Sequence, residues 1–370
     1  MRASSRKLLV AAVGLAVMGF IVYRSRGFFH FGDFSGAKLL HALRGANFAY
    51  LALSLVTIYA CYALRAVRWQ LFQRNLGRGR FWTIYAMTLA GFSAVFLLGR
   101  AGEPIRPLLL ARQEKLPIAG MFGIYALERL FDMSATAVIA AIGLFLFQSH
   151  ASESQTAATL QTAAKTTGTL LFAGVIGAVA ILSYLRLHGT ALLERRLQGS
   201  RAAHGWRARV ARIVLGFVHG VQAIRDWREL ALAVFYSAVH WFLVLCVYFW
   251  VCHAFGGTLG SLSLSDAMLV MVFTSVGSTM QAPGVGGGSQ LATILVFTKV
   301  FGVEPEPATA AAIVIWLITF ASVSLAGVPL LIHQGWSLGQ LREMAKREEN
   351  IADSATSGDA SVRTRGEPAE

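Results

Sequence analysis

The sequence contains few charged residues for its length. Asp, Glu, Lys and Arg make up 14% of the 370 residues, whereas 55% of the residues are hydrophobic. A soluble domain usually carries about 25% charged residues, so this composition excludes an ordinary soluble globular protein. Together with a mean hydropathy of +0.57, it predicts an all-α polytopic membrane protein.

Acidic residues and cysteines are also scarce. Asp and Glu total 19 against 33 Lys and Arg, which leaves a formal net charge of +14. In a membrane protein such an excess marks cytoplasmic loops and meets anionic lipid headgroups, so we expect no nucleic-acid partner. The three cysteines lie in apolar runs without metal-ligand spacing. This predicts buried free thiols rather than disulfides, and no metal or cofactor.

Long apolar runs set the expected number of membrane crossings, because each full span needs about 20 apolar residues. Six segments qualify or nearly do: 8–23, 47–67, 118–147, 167–185, 229–255 and 309–333. The first follows MRASSRK and imitates a signal peptide, but no small-residue cleavage site comes after it. We therefore expect an uncleaved span.

Two further apolar stretches are interrupted in the middle. Residues 81–115 are broken by GRAGEP (99–104), and residues 264–301 are broken by PGVGGG (283–288). Pro and clustered Gly break helices. Each stretch therefore predicts a re-entrant helical hairpin whose tip reaches the membrane interior, here called the first hairpin and the second hairpin.

The distribution of Lys and Arg predicts the orientation of these segments. With the N-terminus in the cytoplasm, the Arg-rich run 65–80 and the loop 186–228, which holds nine Arg, also face the cytoplasm. Both placements follow the positive-inside rule. The basic segment 24–46 is the exception, because it falls on the other side. The C-terminus is then cytoplasmic.

This layout predicts two membrane repeats of opposite orientation, 1–147 and 148–333, each with one hairpin. Paired interrupted segments in an inverted repeat are typical of a transporter's midplane site. The tail 334–370 is expected to be cytoplasmic and largely disordered. Loop 186–228 carries apolar residues at helical spacing, which predicts an interfacial helix. That helix either anchors the bundle or docks a cytoplasmic lipid-synthesis enzyme.

Charged residues interrupt the apolar sequence around the first hairpin and the span after it. An ionised group at mid-bilayer costs roughly 3 kcal/mol, so these groups are expected to pair with one another or to line a wet cavity. Their formal charges sum to zero, which indicates one compensated cluster. The six residues are Arg100, Glu103, Arg106, Glu128, Arg129 and Asp132.

Two interpretations of this cluster stay open. In the first, Gly99 and Gly102 allow a tight turn, Pro104 opens the return helix, and the helix N-terminus with Arg100 and Arg106 suits a phosphate.

In the second interpretation the charges satisfy one another. Glu103 and Arg106 are three apart on a helix and could pair. Glu128 and Asp132 share a face, and Arg100 and Arg106 could hold them as a structural lock. The same two acids could instead carry a proton.

The second hairpin offers backbone and uncharged polar groups. Its unwound glycines are tolerated at membrane depth only where they are buried or face a cavity. It is not a nucleotide-binding loop, because no Lys-Ser/Thr follows the glycines. The histidines of the fifth span, His240 and His253, are expected to be packing residues rather than ligands.

These segments together resemble the lysylphosphatidylglycerol synthase transmembrane region, a flippase-like integral membrane family of bacteria and archaea. The resemblance covers about residues 8–333 and rests on Arg68-Trp69, GRAGEPIR, ERLFD and APGVGGG. The matching positions are Gly99, Arg100, Gly102, Glu103, Arg106, Glu128, Arg129, Asp132, Pro283, Gly284 and Gly286.

The resemblance implies a lipid-translocating module, which in the best-known members sits beside a synthase that aminoacylates phosphatidylglycerol. This sequence departs from the family pattern in two places. Only about 40 residues follow the last span, with no acyltransferase-like domain among them. The place where the family's second hairpin usually continues into an acidic residue holds Gly288, Ser289 and Gln290.

We therefore expect a lipid translocator in a bacterial inner membrane, not an enzyme. Its headgroup site would lie between the two hairpin tips, where Gly286, Gly287 and Gln290 also fall. Phosphate would be held by three arginines, and three acids would balance charge or relay a proton. The arginines are Arg100, Arg106 and Arg129, and the acids are Glu103, Glu128 and Asp132. The alternatives are a non-catalytic partner of a lipid-modifying enzyme and a membrane-embedded lipid-modifying enzyme.

Overall fold

The computed structural model describes most of the expected membrane region. The described residues are 36–74, 76–147, 162, 165–170, 173–174, 176–177, 226–282 and 286–333. The predicted first span, the predicted interfacial helix of loop 186–228 and the tail 334–370 lie outside these ranges. Of the predicted span 167–185, only helical fragments are described.

Within these ranges the chain is almost entirely helical, which confirms the all-α prediction there. The helices are α1 (Gly36–Gly45), α2 (Phe48–Gln73), α3 (Phe81–Leu98), α4 (Ile105–Gln113), α5 (Ile118–Leu146), α6 (Trp227–Phe255), α7 (Leu264–Gly277), α8 (Gly288–Lys299), α9 (Pro305–Trp316) and α10 (Ser322–His333). A π-helical turn, Leu317–Ala321, joins α9 to α10. The tip of the second hairpin also contains a two-residue antiparallel strand pair, Gln281–Ala282 with Gly286–Gly287.

Five segments of the described chain are long and apolar enough to cross a membrane. They are α2, α3, α5, α6 and the continuous stretch Pro305–His333. Four of these candidate spans coincide with the segments predicted at 47–67, 118–147, 229–255 and 309–333. The first hairpin departs from expectation, because α3 alone has 18 residues with a mean hydropathy of 1.7 and could cross by itself.

Helix α2 extends further than the sequence suggested. The predicted span ended at residue 67, but the helix continues to Gln73. Arg65 and Arg68, which were predicted to lie in a cytoplasmic run, therefore belong to this helix, and both side chains are buried inside the bundle. Burial of these arginines is possible because carboxylates on a neighbouring helix face them.

Local signals fix where the helices begin and end. The Asn47 side chain accepts a hydrogen bond from the Ala49 backbone N–H at 3.0 Å and caps α2. A capping box between Ser263 and Asp266 opens α7. Gly99 ends α3 with a φ of 64°, a conformation that favours glycine. The first hairpin consequently turns at the glycine-rich segment that the sequence indicated.

The bundle is built around a pair of antiparallel helices, α2 and α6. At one end the Asn47 backbone N–H donates to the Ala254 carbonyl at 2.7 Å, and further along Arg68 donates to Ser237 at 2.8 Å. Helix α3 of the first hairpin packs along α10, and α7 of the second hairpin packs along α5. Each hairpin thus lies against the last long helical segment of the other half of the chain.

Contacts at the helix ends place the loops at two ends of the bundle. The Arg80 backbone N–H donates to the Glu114 carboxylate at 3.4 Å, so the first hairpin starts and finishes beside the end of α2. At the opposite end, where α2 begins, α1 lies against α9, and Lys38 Nζ is 3.8 Å from the Glu306 carboxylate. The end of α6 reaches this same end of the bundle through the bond to Asn47.

Candidate functional site

A cluster of five charged side chains, here called the buried charge cluster, lies between three helices. Helix α2 supplies Arg65 and Arg68, α4 supplies Arg106, and α5 supplies Glu128 and Asp132. None is more than 8% exposed. Residues three or four apart share a helix face, so both arginines of α2 meet both acids of α5.

Each carboxylate contacts more than one guanidinium group. Glu128 lies 3.4 Å from Arg65 and 3.2 Å from Arg68. It also pairs with Arg106, whose guanidinium stands 4.7 Å from the centre of the Trp69 ring. Asp132 lies 3.3 Å from Arg65 and 2.7 Å from Arg68. The cluster therefore ties α2, the return helix of the first hairpin and α5 together.

Helix α6 completes the surroundings of this cluster. The Trp241 indole N–H donates to Asp132 at 3.3 Å. The ring of His240 lies 3.3 Å from the Arg65 guanidinium and 3.1 Å from the Cys61 carbonyl. Both ring nitrogens of this histidine therefore have protein contacts, and Arg65 is held from a second side. His253 also makes a local contact, with the Phe249 carbonyl at 2.9 Å.

The charges of the described side chains at this place do not sum to zero. Three arginines face two carboxylates in the cluster, and the neighbouring Arg129 and Glu103 add one charge of each sign, so one positive charge is in excess. The predicted balance of charge did not count Arg65 and Arg68, because they were assigned to a cytoplasmic run. An excess of buried positive charge favours an anion nearby.

A cavity of about 290 Å³ lies beside the cluster and between the two hairpins. The charged residues that line it are Arg65, Glu103 and Arg129. The second hairpin contributes polar but uncharged lining residues, which are Thr274, Ser275, Ser278, Ser289, Gln290 and Thr293. The π-helical turn contributes Thr319 and Phe320, in keeping with the frequent occurrence of π-turns at functional sites.

The structure divides the predicted first-hairpin and α5 residues into two groups. Glu103 and Arg129 line the cavity, where the Tyr125 hydroxyl donates to Glu103 at 2.7 Å and the Arg129 guanidinium lies 5.1 Å from the centre of the Tyr125 ring. Arg106, Glu128 and Asp132 belong to the buried charge cluster behind that wall. Glu103 and Arg129 therefore face the space that a ligand could occupy. Arg106, Glu128 and Asp132 instead link helices to one another.

Two of the sequence alternatives can be compared with these contacts. Glu103 and Arg106 take different partners, Tyr125 and Glu128, so the expected pairing between them is not the arrangement observed. Arg106 pairs with Glu128, a contact that the structural-lock alternative requires. The side chain of Arg100 lies outside the described residues.

The remaining predicted residues shape the two tips. Gly102 is buried against α3, where a Cβ atom would overlap the Ala94 carbonyl. Gly287 has a φ of 95°, and its backbone N–H donates to the Gln290 side chain at 2.7 Å, so Gln290 caps α8 while it lines the cavity. Gly286 lies in the short strand pair. Pro283 and Gly284 lie outside the described residues.

Sequence reasoning did not identify Arg65, Arg68 and Trp241 as parts of the site. A signal for the two arginines is present, because Cys61, Arg65, Arg68 and Phe72 recur at helical spacing and are all buried. Trp241 carries no such signal, because its role depends on the packing of α6 against α5. Within the described residues no group of three or more His, Cys, Asp or Glu could hold a metal ion.

Comparison with known proteins identifies the family of this chain. The family model of the lysylphosphatidylglycerol synthase TM region matches residues 8–327. The chain belongs to this family. A curated relative, a UPF0104 membrane protein of Methanothermobacter thermautotrophicus, is 23% identical over 326 residues, which cover 81% of this chain and 89% of the relative.

Membership of the lysylphosphatidylglycerol synthase TM region family makes this chain a multi-pass membrane protein, as its apolar helices also indicate. The segments that carried the resemblance meet at one place in the fold. GRAGEP forms the turn of the first hairpin, and ERLFD forms the part of α5 that carries Glu128, Arg129 and Asp132. The family pattern therefore coincides with the charged side of the cavity.

Proposed function

We propose that this protein moves a lipid with a phosphate-bearing headgroup between the two leaflets of a membrane. The headgroup enters the cavity between the hairpins, and Arg65 and Arg129 hold its phosphate. Arginine suits this contact because its planar guanidinium can bind phosphate oxygens in pairs. Both arginines line the cavity, and Arg65 also pairs with Glu128 and Asp132.

The observation that carries this proposal is the excess of positive charge beside a cavity at the centre of an apolar bundle. Charged groups inside a membrane protein are costly and usually mark a substrate or ion pathway. Here Glu128 and Asp132 neutralise only part of the buried arginine charge. A phosphate group in the cavity supplies the missing negative charge. Glu103 and the buried acids balance the remaining charge.

The packing of the helices supports an inverted repeat as the architecture of the translocator. In this proposal α2 corresponds to α6, and the first hairpin corresponds to the second. The two central helices are antiparallel, as inversion requires. Each hairpin packs on the long segment of the opposite repeat. The ends of the first hairpin meet at the end of α2, which supports its assignment as re-entrant.

The proposed location is a bacterial inner membrane with both termini in the cytoplasm. The end of the bundle where α2 finishes exposes several basic side chains, among them Arg74, Arg78, Arg80 and Lys115. By the positive-inside rule this end faces the cytoplasm. A cytoplasmic lipid-synthesis enzyme is the proposed partner at this face. It would supply the lipid that the translocator moves.

Reconstitution into liposomes tests the proposal. Vesicles contain headgroup-labelled phospholipids, including an aminoacylated and an isoprenoid-linked one, and a membrane-impermeant quencher reports the label in the outer leaflet. We expect the wild-type protein to bring inner-leaflet label to the quencher faster than protein-free vesicles do. Arg129→Ala should lose that movement, because it removes a guanidinium from the cavity wall.

The other outcomes favour other functions. Equal movement by the wild type and Arg129→Ala contradicts the site assignment. No movement of any lipid contradicts the translocator and favours a non-catalytic partner. Covalently altered lipids in extracts of expressing cells contradict the non-enzymatic assignment and favour a lipid-modifying enzyme.

A further inference from the structure

We infer that Arg65 exchanges partners when a phosphate group enters the cavity, leaving the Glu128 and Asp132 carboxylates of α5 and binding the phosphate. This inference rests on the proposed function and adds how the site is coupled to the helices around it. It concerns the phosphate, which every glycerophospholipid carries, and not the rest of the headgroup. Arg65 is suited to the exchange because it is the member of the buried charge cluster that lines the cavity.

The ion pairs of Arg65 are longer than the closest one that Arg68 makes. The Arg65 guanidinium lies 3.4 Å from the Glu128 carboxylate and 3.3 Å from that of Asp132. Arg68 lies 2.7 Å from Asp132 and also donates to Ser237 at 2.8 Å. A charge-assisted hydrogen bond between these groups usually spans about 2.7–2.9 Å. Of the two arginines of α2, Arg65 is therefore the more weakly held.

The charges of the cluster allow Arg65 to leave. Without it, Arg68 and Arg106 face Glu128 and Asp132, two charges of each sign. Asp132 keeps Arg68, and Glu128 keeps both Arg68 and Arg106. Breaking a buried ion pair is costly chiefly because it leaves a charge without compensation. The transfer of Arg65 leaves no carboxylate of the cluster without a cationic partner.

The Arg65 guanidinium also contacts the aromatic wall of the cavity. It lies 5.5 Å from the centre of the Phe92 ring and 5.9 Å from that of Tyr62, and both residues line the cavity. Arg129 lines the same cavity. A phosphate there can therefore be met by two guanidinium groups, each suited to paired contacts with its oxygens.

The exchange couples occupation of the cavity to the contact between α2 and α5. Because one guanidinium cannot serve both partners fully, the carboxylates of α5 compete with the phosphate for Arg65. Such coupling is reciprocal: binding weakens the contact of Arg65 with α5, and weakening that contact strengthens binding. Arg68 continues to join the two helices. A headgroup in the cavity therefore removes one of the two arginine ties between α2 and α5.

A double-mutant cycle on binding tests the exchange. The probe is dihexanoyl-phosphatidylglycerol, titrated calorimetrically into the full-length protein in detergent. Asp132→Asn removes one competing charge but keeps a side chain that can accept from Arg68. It should tighten binding of the probe about five- to tenfold, but less than about twofold when Arg65→Gln is also present. An equal gain in both backgrounds would show that Asp132 acts only through long-range charge, and no gain in either would show no competition. Each result overturns the exchange.

The matched control is Arg74→Gln, which removes the same charge from an exposed position that follows α2. In this background Asp132→Asn should keep its full gain in affinity. Thermal midpoints of the single variants give a second test that needs no acid variant. Arg65→Gln should lower the midpoint less than half as far as Arg68→Gln, because the carboxylates stay paired. Equal losses would overturn the exchange even if Asp132→Asn failed to fold.

The same titration separates this inference from the proposed function. Glycerophosphoglycerol, the deacylated form of the probe, carries the same phosphate without acyl chains. We expect the lipid to bind at least about tenfold more tightly, because its chains bury apolar surface. Equal binding of the two would retain the exchange but overturn a lipid as the ligand. Binding of neither by the wild type would overturn the phosphate site and the exchange together.

Discussion

At the scale of single residues, Arg68 joins three helices of the site. It contacts Glu128 and Asp132 on α5 and donates to Ser237 on α6, although it belongs to α2. Only 1% of its surface is exposed. Removing one partner from a buried ion pair is costly because the other charge remains buried without compensation.

Arg68→Ala is accordingly expected to destabilise the protein by about 3–5 kcal/mol. The midpoint of thermal unfolding in detergent, followed by tryptophan fluorescence, measures this loss. Arg74→Ala is the matched control, because Arg74 follows on the same helix but is exposed. It should change stability by no more than about 0.5 kcal/mol. Equal midpoints for the two variants would exclude the proposed role of the cluster.

The acidic half of this cluster was predictable from the sequence, and most of its basic half was not. Glu128 and Asp132 stand out because they interrupt a long apolar run. Arg65 and Arg68 stand near the end of an apolar run, where the positive-inside rule assigns arginine to the cytoplasm. Only the contact of α2 with α5 shows that the helix continues inside the bundle. Arg106 was placed correctly against Glu128 because both interrupt apolar segments.

At the scale of elements, the second hairpin depends on a close crossing of its two helices. Gly277 at the end of α7 and Gly288 at the start of α8 lie so near that a Cβ on either would overlap the backbone of the other. Glycine is needed at this crossing for its lack of a side chain. The crossing also brings Thr274 and Thr293 together, with their hydroxyl oxygens 2.6 Å apart.

Gly277→Ala should therefore force the two helices apart and cost about 1–3 kcal/mol, as overpacking usually does. Gly123→Ala on α5 is the control, because nothing lies within 4 Å of the Cβ it would add. That change should be neutral or slightly stabilising, since alanine favours a helix over glycine. Thermal midpoints of the two variants give the comparison. A Gly277→Ala protein as stable as Gly123→Ala would contradict the close crossing.

The turns of both hairpins could be placed from the sequence because Gly and Pro interrupt apolar runs there. The length of α3 could not be judged in the same way. Its 18 residues satisfy the composition of a span, whereas in the fold α3 packs against α10 and the chain returns through α4. The π-helical turn at Leu317–Ala321 was not predicted either, because no residue in it signals that geometry.

At the scale of the whole molecule, the two ends of the bundle are expected to face opposite sides of the membrane. The loop with Arg78 follows α2, and the loop with Thr258 follows α6, which runs antiparallel to α2. Both residues are exposed. Positive charge collects at the first of these ends, so the positive-inside rule places Arg78 in the cytoplasm.

Labelling of single cysteines tests this orientation. In a background where Cys61, Cys246 and Cys252 are replaced by alanine, Thr258→Cys should react with a membrane-impermeant maleimide in intact spheroplasts. Arg78→Cys should react only after the cells are opened. The reverse pattern would show that the molecule is inserted the other way, and labelling of both in intact cells would contradict the antiparallel arrangement across the membrane.

Family membership and four of the predicted spans were accessible from the sequence, because they depend on hydropathy and short segments. The charge balance of the site was not, because it depends on which cations the fold brings to Glu128 and Asp132. The cavity likewise arises between segments as distant as Arg65 and Thr319. Hydrophobic periodicity along one helix does not show which residues of distant segments lie close together in the fold.

The most direct measurement of the central claim is the initial rate of phosphatidylglycerol movement for four proteins in parallel liposomes. They are the wild type, Arg129→Ala, Arg129→Lys and the exposed control Arg78→Ala, each with its thermal midpoint recorded. Arg129→Ala should slow lipid movement by about tenfold or more and leave the thermal midpoint nearly unchanged, because Arg129 lines the cavity outside the buried charge cluster. Arg129→Lys should regain part of the rate, and Arg78→Ala should match the wild type. If Arg129→Ala moves the lipid at the wild-type rate, the cavity is not the path of the headgroup.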